Sequence, residues 1–449
     1  MKIHPSDEVL EELSVFLDKD RRKIVQHLAR CSVCMERYEW LLLRRAQEKG
    51  IMAELTVPEP DAYGPMLDRM EALARRQGEM LDKERREAPG YFLELMALPS
   101  EDWIGQLEAS EPFRTWGLLE LLVERSLETA ASDPVGAERL AMAALRLADL
   151  LDADLYGTGL LEDIRARAWA HAGNARRVRS DLVGAEEAFA QSLTHLARGT
   201  GDLLEEAIHI DLRSSLLRAR RRFGEAAQLL QKAISTFLEL GDRHRAGTSL
   251  VKVATVHHHA GNPEAGIASL HEALPLIDPE REPRLLLCAR HNLIDYLAGS
   301  GRFQEAQDLY RSSRSLYRDF PDAWVQNRRK WVRAKISRGF GQLAVAESLF
   351  LAARQGFLEE GVSYDTALVS LELATLYAEQ GRTADLKVLA EEMLPIFASL
   401  QIHREALAAL AYLRQAMEAE RATVELITRV AAYLDRARHD PELRFQEPS

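Results

Sequence analysis

The strongest constraint on how this chain folds is an internal period of about 40 residues. A five-point pattern recurs: a small or turn-forming residue, a hydrophobic residue, a small residue, a bulky apolar residue, and a small residue again. Ser180, Leu182, Ala185, Phe189 and Ser192 form one copy, and Arg221, Phe223, Ala226, Leu230 and Ala233 the next. Gly261, Pro263, Gly266, Leu270 and Ala273 follow, then Gly301, Phe303, Ala306, Tyr310 and Ser313. Gly341, Leu343, Ala346, Phe350 and Ala353 repeat it, and Gly381, Thr383, Leu386, Ala390 and Met393 give a weaker copy. The third positions are spaced by 41 residues and then four times by 40. Partial copies are visible at Ala137, Ala141 and Ala144 and near Leu426.

Such a pattern specifies a helix–turn–helix unit. A left-handed residue ends the first helix, small residues let two antiparallel helices approach, and the bulky residue fills the gap between them. One unit cannot bury its own apolar face, so units stack. The expected fold class is therefore all-α, an α-solenoid, preceded by a small helical module. Composition agrees: 47% of the 449 residues are apolar, only 7% are aromatic, and Ala, Leu, Arg and Glu are abundant. A net charge of −12 argues against general nucleic-acid binding. No stretch approaches 18 consecutive apolar residues, so no membrane span is expected. The N-terminus, Met1 to Glu8, is polar and carries no apolar signal core. Three cysteines, two of them Cys31 and Cys34, make no disulfide framework, which favours a reducing, cytoplasmic location.

The repeat resembles the tetratricopeptide family. Ala168-Trp169 through Gly173-Asn174 matches that family's opening helix, with its tryptophan and glycine. The usual unit has 34 residues, so longer helices or turns are expected here. In that family the first helix of each unit lines a concave groove. The resemblance then implies a partner-binding face containing Arg167, Asn174 and Arg177; Asp211, Ser215 and Arg218; Lys252, Thr255 and His258; His291, Asn292 and Asp295; and Trp331, Lys335 and Arg338. Members that grip peptide carboxylates use Lys, Arg and Asn at such positions, which Asn174 with Arg177 and Lys335 with Arg338 match. An ordinary solvated surface is the plain alternative.

Residues 4 to 45 read differently. His27, Cys31 and Cys34 form an H-x3-C-x2-C motif, in which one helix presents His27 and Cys31 on one face with Cys34 a turn further on. A tetrahedral zinc ion needs one more ligand, and His4 is the nearest candidate upstream. The same spacing also fits a metal-free hairpin with two packed thiols, or a pair that joins on oxidation. The motif, together with the stripe Leu10, Leu13, Phe16 and Leu17 and the turn Asp18-Lys19-Asp20, is similar to the N-terminal zinc finger of zinc-binding anti-sigma factors. That resemblance implies one zinc ion, a bacterial source and a sigma factor as partner.

Prolines between Ile51 and Pro65 mark a break, followed by a charged helix from Met66 to Arg86 with Met66, Met70, Leu73 and Met80 near one side, expected to dock within the chain. Ser100 to Trp116 is expected to cap the array. The expected domains are 1–45, a zinc module; 46–114, a linker and connector; 115–440, the repeat array; and 441–449, a tail. Catalytic motifs are missing: no G-x-S-x-G, Walker loop or H-E-x-x-H occurs. His257, His258 and His259 are adjacent on a helix and point in different directions, so they cannot share one ion. Cys288 reads as a packed small residue, and the runs Arg218–Arg222 and Arg328–Lys330 as solvated faces. The sequence thus describes a non-enzymatic scaffold that binds a protein or peptide, or else a cytosolic anti-sigma regulator whose array acts as sensor.

Overall fold

The computed structural model describes residues 5, 6, 10, 24, 27, 28, 31–48, 64–399, 410, 413, 414, 416, 417, 423–437 and 444. His4, Leu13, Phe16, Leu17, the turn at 18–20, most of the proline-rich linker and nearly all of the tail lie outside these, as do the side chains of Met66, Ala390 and Met393. Contacts divide the chain into two compact units, 1–81 and 82–449. All regular structure among the described residues is helical.

In the first unit, α1 (Ser32–Glu48) carries Cys34, while Cys31 lies just before it and is not helical, so one helix does not present His27 and Cys31 as the spacing suggested. A long helix, α2 (Gly64–Met96), begins in this unit and ends in the next. Its residues 68–79 are exposed, including Met70 at 56% and Leu73 at 63%, and Met80 is half-buried.

The second unit begins where α2 becomes buried. Glu84 accepts hydrogen bonds from the backbone N–H groups of Trp116 (2.7 Å) and Gly117 (3.4 Å), and from the Tyr156 hydroxyl (2.8 Å). A carboxylate at the start of α4 (Trp116–Thr129) meets the positive end of that helix. The approach is close: a Cβ at Gly117 would lie 2.4 Å from the Glu84 backbone. Between them, α3 (Trp103–Ala109) and a short 3-10 turn at Glu111–Phe113 cover the first hairpin, formed by α4 and α5 (Pro134–Leu150). A single turn, α6 (Ala153–Tyr156), leads on.

The array continues as α7 (Thr158–Val178) with α8 (Leu182–Leu196), α9 (Leu203–Ala219) with α10 (Phe223–Glu239), and α11 (Arg243–His259) with α12 (Pro263–Ala273). Then come α13 (Pro283–Gly299) with α14 (Phe303–Ser312) and the short α15 (Arg314–Asp319), α16 (Ala323–Gly339) with α17 (Leu343–Glu359), α18 (Ser363–Glu379) with α19 (Thr383–Ser399), and finally α20 (Val424–Ala437). First helices start at 203, 243, 283, 323 and 363, each of 17 residues. The long unit is thus built from long helices and tight connections.

Local chemistry explains these boundaries. Asp181, Asp202, Asp242, Asn262 and Asp322 each accept a backbone N–H at a helix start. At the hairpin turn the first helix closes with a paired set of bonds, such as Asn262 N–H to His257 C=O (2.9 Å) and Gly261 N–H to His258 C=O (3.0 Å). The residue between has positive φ in each copy: Gly261, Gly301, Gly341 and Gly381, but also Ser180 (68°) and Arg221 (59°). These are the first positions of the sequence pattern. Its third and fourth positions, from Ala185 and Phe189 to Ala346 and Phe350, are buried.

A left-handed conformation costs a side-chain-bearing residue about 1–2 kcal/mol, while glycine gives back about 0.5–1 kcal/mol in chain entropy. Ser180→Gly should therefore stabilise the array by about 0.5–1 kcal/mol, and Ser180→Val should destabilise it. Denaturant midpoints of the full chain check both signs.

Candidate functional site

Two sets of side chains invite a functional reading. The first is in the N-terminal unit. Ligand atoms of His27, Cys31 and Cys34 all lie within 4.8 Å of one another, and His27 Nε2 is 3.3 Å from Cys34 Sγ. Zinc–sulfur and zinc–nitrogen bonds of roughly 2.3 and 2.0 Å place tetrahedral ligands roughly 3.3–3.8 Å apart, so a small contraction brings the three onto one ion. Their seat is apolar: Leu10, Leu28, Cys34 and Leu41 are buried together, with Ile24, Met35 and Tyr38 packed against them. Burial, and next the hydrogen bond with Cys31, push the Cys34 thiol up. A thiol held protonated in an apolar seat, beside a second cysteine, is one from which a cation displaces a proton. The donor set fits a metal ion. The fourth candidate, His4, lies outside the described residues.

The second is a groove of about 880 Å³ on the side of the array formed by the first helices. Of the residues picked out from sequence, Arg218, Thr255, His258, Asn292, Asp295, Trp331, Lys335 and Arg338 line it together. Arg167, Asn174, Arg177, Asp211, Ser215, Lys252 and His291 are not part of its lining. Arg328, Glu372 and Glu379 line it as well, and so do Val424 and Thr428 of α20. Glu372 follows from carrying Asn292 along the 40-residue register; Arg328 and Glu379 fall outside the columns chosen from sequence, and the register, which places a copy near Leu426, does not tell that α20 meets the groove.

Many of these polar groups bind one another across units. Arg167 of α7 pairs with Glu205 of α9. Asp211 of α9 accepts from Ser249 (2.7 Å) and pairs with Lys252 of α11. The His258 ring of α11 stacks on Tyr296 of α13 at 4.1 Å. Lys335 of α16 pairs with Asp295 of α13 (2.8 Å) and reaches Glu372 of α18 (3.7 Å). Arg338 pairs with Glu372 (3.1 Å) and Glu379. Every successive pair of first helices from α7 to α18 is thus tied on this face. Burial alone would raise Asp295, but the Lys335 ammonium outweighs it and holds the carboxyl at about 2.

Other members of the set are placed differently. His291 is buried, with Nδ1 2.8 Å from the Tyr317 hydroxyl. Asn292 reaches only Cys288 Sγ, on its own helix, at 3.8 Å. Arg177 donates to Asn174, also on its own helix, at 2.8 Å. Its guanidinium is pushed down to about 10, first by burial and then by Arg218.

No family model matches the chain, and no curated protein does. Among solved structures it is similar to a Rap protein complexed with competence and sporulation factor, at 13% identity and a TM-score of 0.54, over 72% of this chain and 92% of that one. It is also similar to aspartyl phosphate phosphatase F of Bacillus subtilis, at 11% identity and a TM-score of 0.49, over 89% of this chain and 96% of that one. At such identities the likeness concerns the fold: an α-solenoid of tetratricopeptide-like units. Among the described residues no helix is long and apolar enough to cross a membrane.

Buried histidines give the array a pH dependence. Burial pushes His171 and His209 down to about 4 and His291 to about 3. The unfolded chain takes up these protons near pH 6.5, so between about 4 and 6.5 the unfolded state binds more protons. Stability contributed by these groups is complete above pH 6.5 and is lost on acidification through that window. Thermal midpoints should fall from pH 7 to pH 5, and His171→Gln should reduce that dependence. A midpoint independent of pH over this range contradicts the assignment.

Proposed function

We propose that this protein is a non-enzymatic scaffold that holds a peptide, or a segment of another protein, in the groove, and carries one zinc ion in its N-terminal module. The observation that carries the reading is the groove itself: a wall shared by five successive first helices, α9, α11, α13, α16 and α18, and lined with charged and amide side chains that span units. A volume of about 880 Å³ lies in the upper range of sites that bury small ligands, roughly 300–1,000 Å³, and suits a short peptide stretch. The solved Rap structure, which shares the fold, is complexed with a factor, in keeping with this use of the array. Asn174 and Arg177 offer a further place for an anionic group, because Arg177 is desolvated beside a second guanidinium. Lys335 and Arg338 already hold Asp295, Glu372 and Glu379.

A second reading is favoured by the His27–Cys31–Cys34 group: a cytosolic anti-sigma regulator of bacterial type, in which the metal module engages a sigma factor and the array senses a ligand. In both readings the zinc ion organises the module, and the chain works in the cytoplasm.

Three outcomes check these readings. Purified chain should hold about one zinc per molecule, and Cys31→Ser with Cys34→Ser should remove it; equal metal in both refutes the site. Asn292→Trp should fill the groove and reduce partner capture from the native cell at least tenfold, with helical unfolding unchanged. Lys335→Ala, by contrast, should cost about 1–3 kcal/mol, because it leaves Asp295 without its partner. Capture unaffected by Asn292→Trp rejects the groove as the binding site. A sigma factor recovered by the full chain but not after deletion of residues 1–50 selects the second reading.

A further inference from the structure

On the groove side of the array, cations are held by carboxylates of neighbouring units. Arg167, Lys252, Lys335 and Arg338 each pair with one. Arg177, in the last turn of α7, does not: among the described residues its hydrogen bonds go to Asn174. That contact fixes the guanidinium. Nε (3.2 Å) and Nη2 (2.8 Å) both donate to Asn174 Oδ1, and Asn174 is itself buried. The other edge of the guanidinium, formed by Nη1 and Nη2, has further N–H donors that Asn174 does not take up, and the Asn174 amide nitrogen is a donor too.

One register step on, α9 repeats the arrangement. Ser215 stands where Asn174 does, and Arg218 where Arg177 does. The two helices are in contact, and their guanidiniums repel: burial and then Arg218 push Arg177 down to about 10. A cation removed from water without a counter-ion is unfavourable. The carbonyl ends of α7 and α9 offer partial negative charge, which is less than an ion. On α16 the same register position is Arg338, and there Glu372 and Glu379 supply the counter-charge. Arg218 also lines the groove, so the Arg177–Arg218 cluster adjoins its α9 end.

We propose that Asn174, Arg177, Ser215 and Arg218 form a binding site for a phosphoryl group, carried by a phosphorylated side chain of the peptide in the groove. A carboxylate has two acceptor oxygens and one charge. A phosphoryl group has three acceptor oxygens and a charge of about −1.5 to −2 at neutral pH. It can accept from two guanidinium forks together with an amide and a hydroxyl, and its second charge offsets the repulsion between the forks. At Arg177 it displaces no carboxylate, unlike an acidic group arriving at Lys335. What carries the phosphoryl group rests on the groove reading; the site itself stands on α7 and α9.

The test uses the full chain, calorimetry and O-phosphoserine as probe, with glutamate and a single-stranded oligonucleotide for comparison. Phosphoserine should bind at least tenfold more tightly than glutamate, and Arg177→Gln should weaken it at least tenfold. Arg177→Lys should weaken it as well, because an ammonium lacks the fork. Asn174→Asp sets a carboxylate against Arg177, so it should abolish phosphoserine binding and raise the thermal midpoint. Phosphatase treatment of the native lysate should lower partner capture at least tenfold. Glutamate bound as tightly as phosphoserine, or an oligonucleotide that outcompetes it, overturns the inference. So does phosphoserine binding that is undetectable or unchanged in Arg177→Gln, a lowered midpoint in Asn174→Asp, or capture indifferent to phosphatase. Asn292→Trp lies outside this cluster and should leave phosphoserine binding unchanged. If phosphoserine does not bind while Asn292→Trp still blocks capture, this inference fails and the groove reading stands.

Discussion

Each hairpin of the array depends on a backbone reversal in which one residue takes positive φ and two hydrogen bonds close the helix before it. From Ser180 to Gly381 this residue recurs at the head of every copy. The reversal brings two helices antiparallel at a distance set by small residues such as Ala226, Gly266 and Ala306, and the bulky residue one turn later fills what remains. Because the unit length hardly varies, positions 40 residues apart fall into columns on the groove side. The repeat therefore fixes more than the core: it decides which polar groups face one another across units.

Those columns have two uses that compete. A solenoid has contacts only between neighbours, so each interface must hold by itself, and the groove face contributes ties such as Asp211 to Lys252 and Asp295 to Lys335. The same side chains border the space where a ligand would lie. An acidic ligand has to win Lys335 or Arg338 from carboxylates that already hold them, whereas among the described residues Asn292 and Arg177 bond within their own helices. Binding and cohesion are thus written on one surface, and an occupant of the groove changes the interaction between units as it changes the solvent there.

The N-terminal unit faces a different problem. Among the described residues its core holds Leu10, Leu28, Cys34 and Leu41, and small domains often rely on a metal or another staple. Gathering His27, Cys31 and Cys34 at one end of α1 supplies a place for one, beside the residues it would hold together. In the second unit Glu84 does comparable work without metal, by setting a carboxylate against the start of α4 and under Tyr156.

The helix–turn–helix units, their period, the left-handed turn position and the buried small and bulky residues were legible in the sequence, because each follows from local geometry repeated at a fixed step. The His-Cys motif was legible from its spacing, but not in the single helix the sequence suggested: Cys31 is non-helical, between helical residues at His27 and Leu28 and the start of α1, which carries Cys34. Even Ser180 and Arg221, which are not glycine, could be placed at the turn by register alone. What the tertiary structure decided was the fate of polar groups that the register only lines up. Whether Lys335 faces solvent or Asp295, whether His291 reaches the groove or Tyr317, and that α20 packs on α18 depend on residues from other helices. A repeat pattern specifies which side chains share a face; only the packed array determines what stands opposite them.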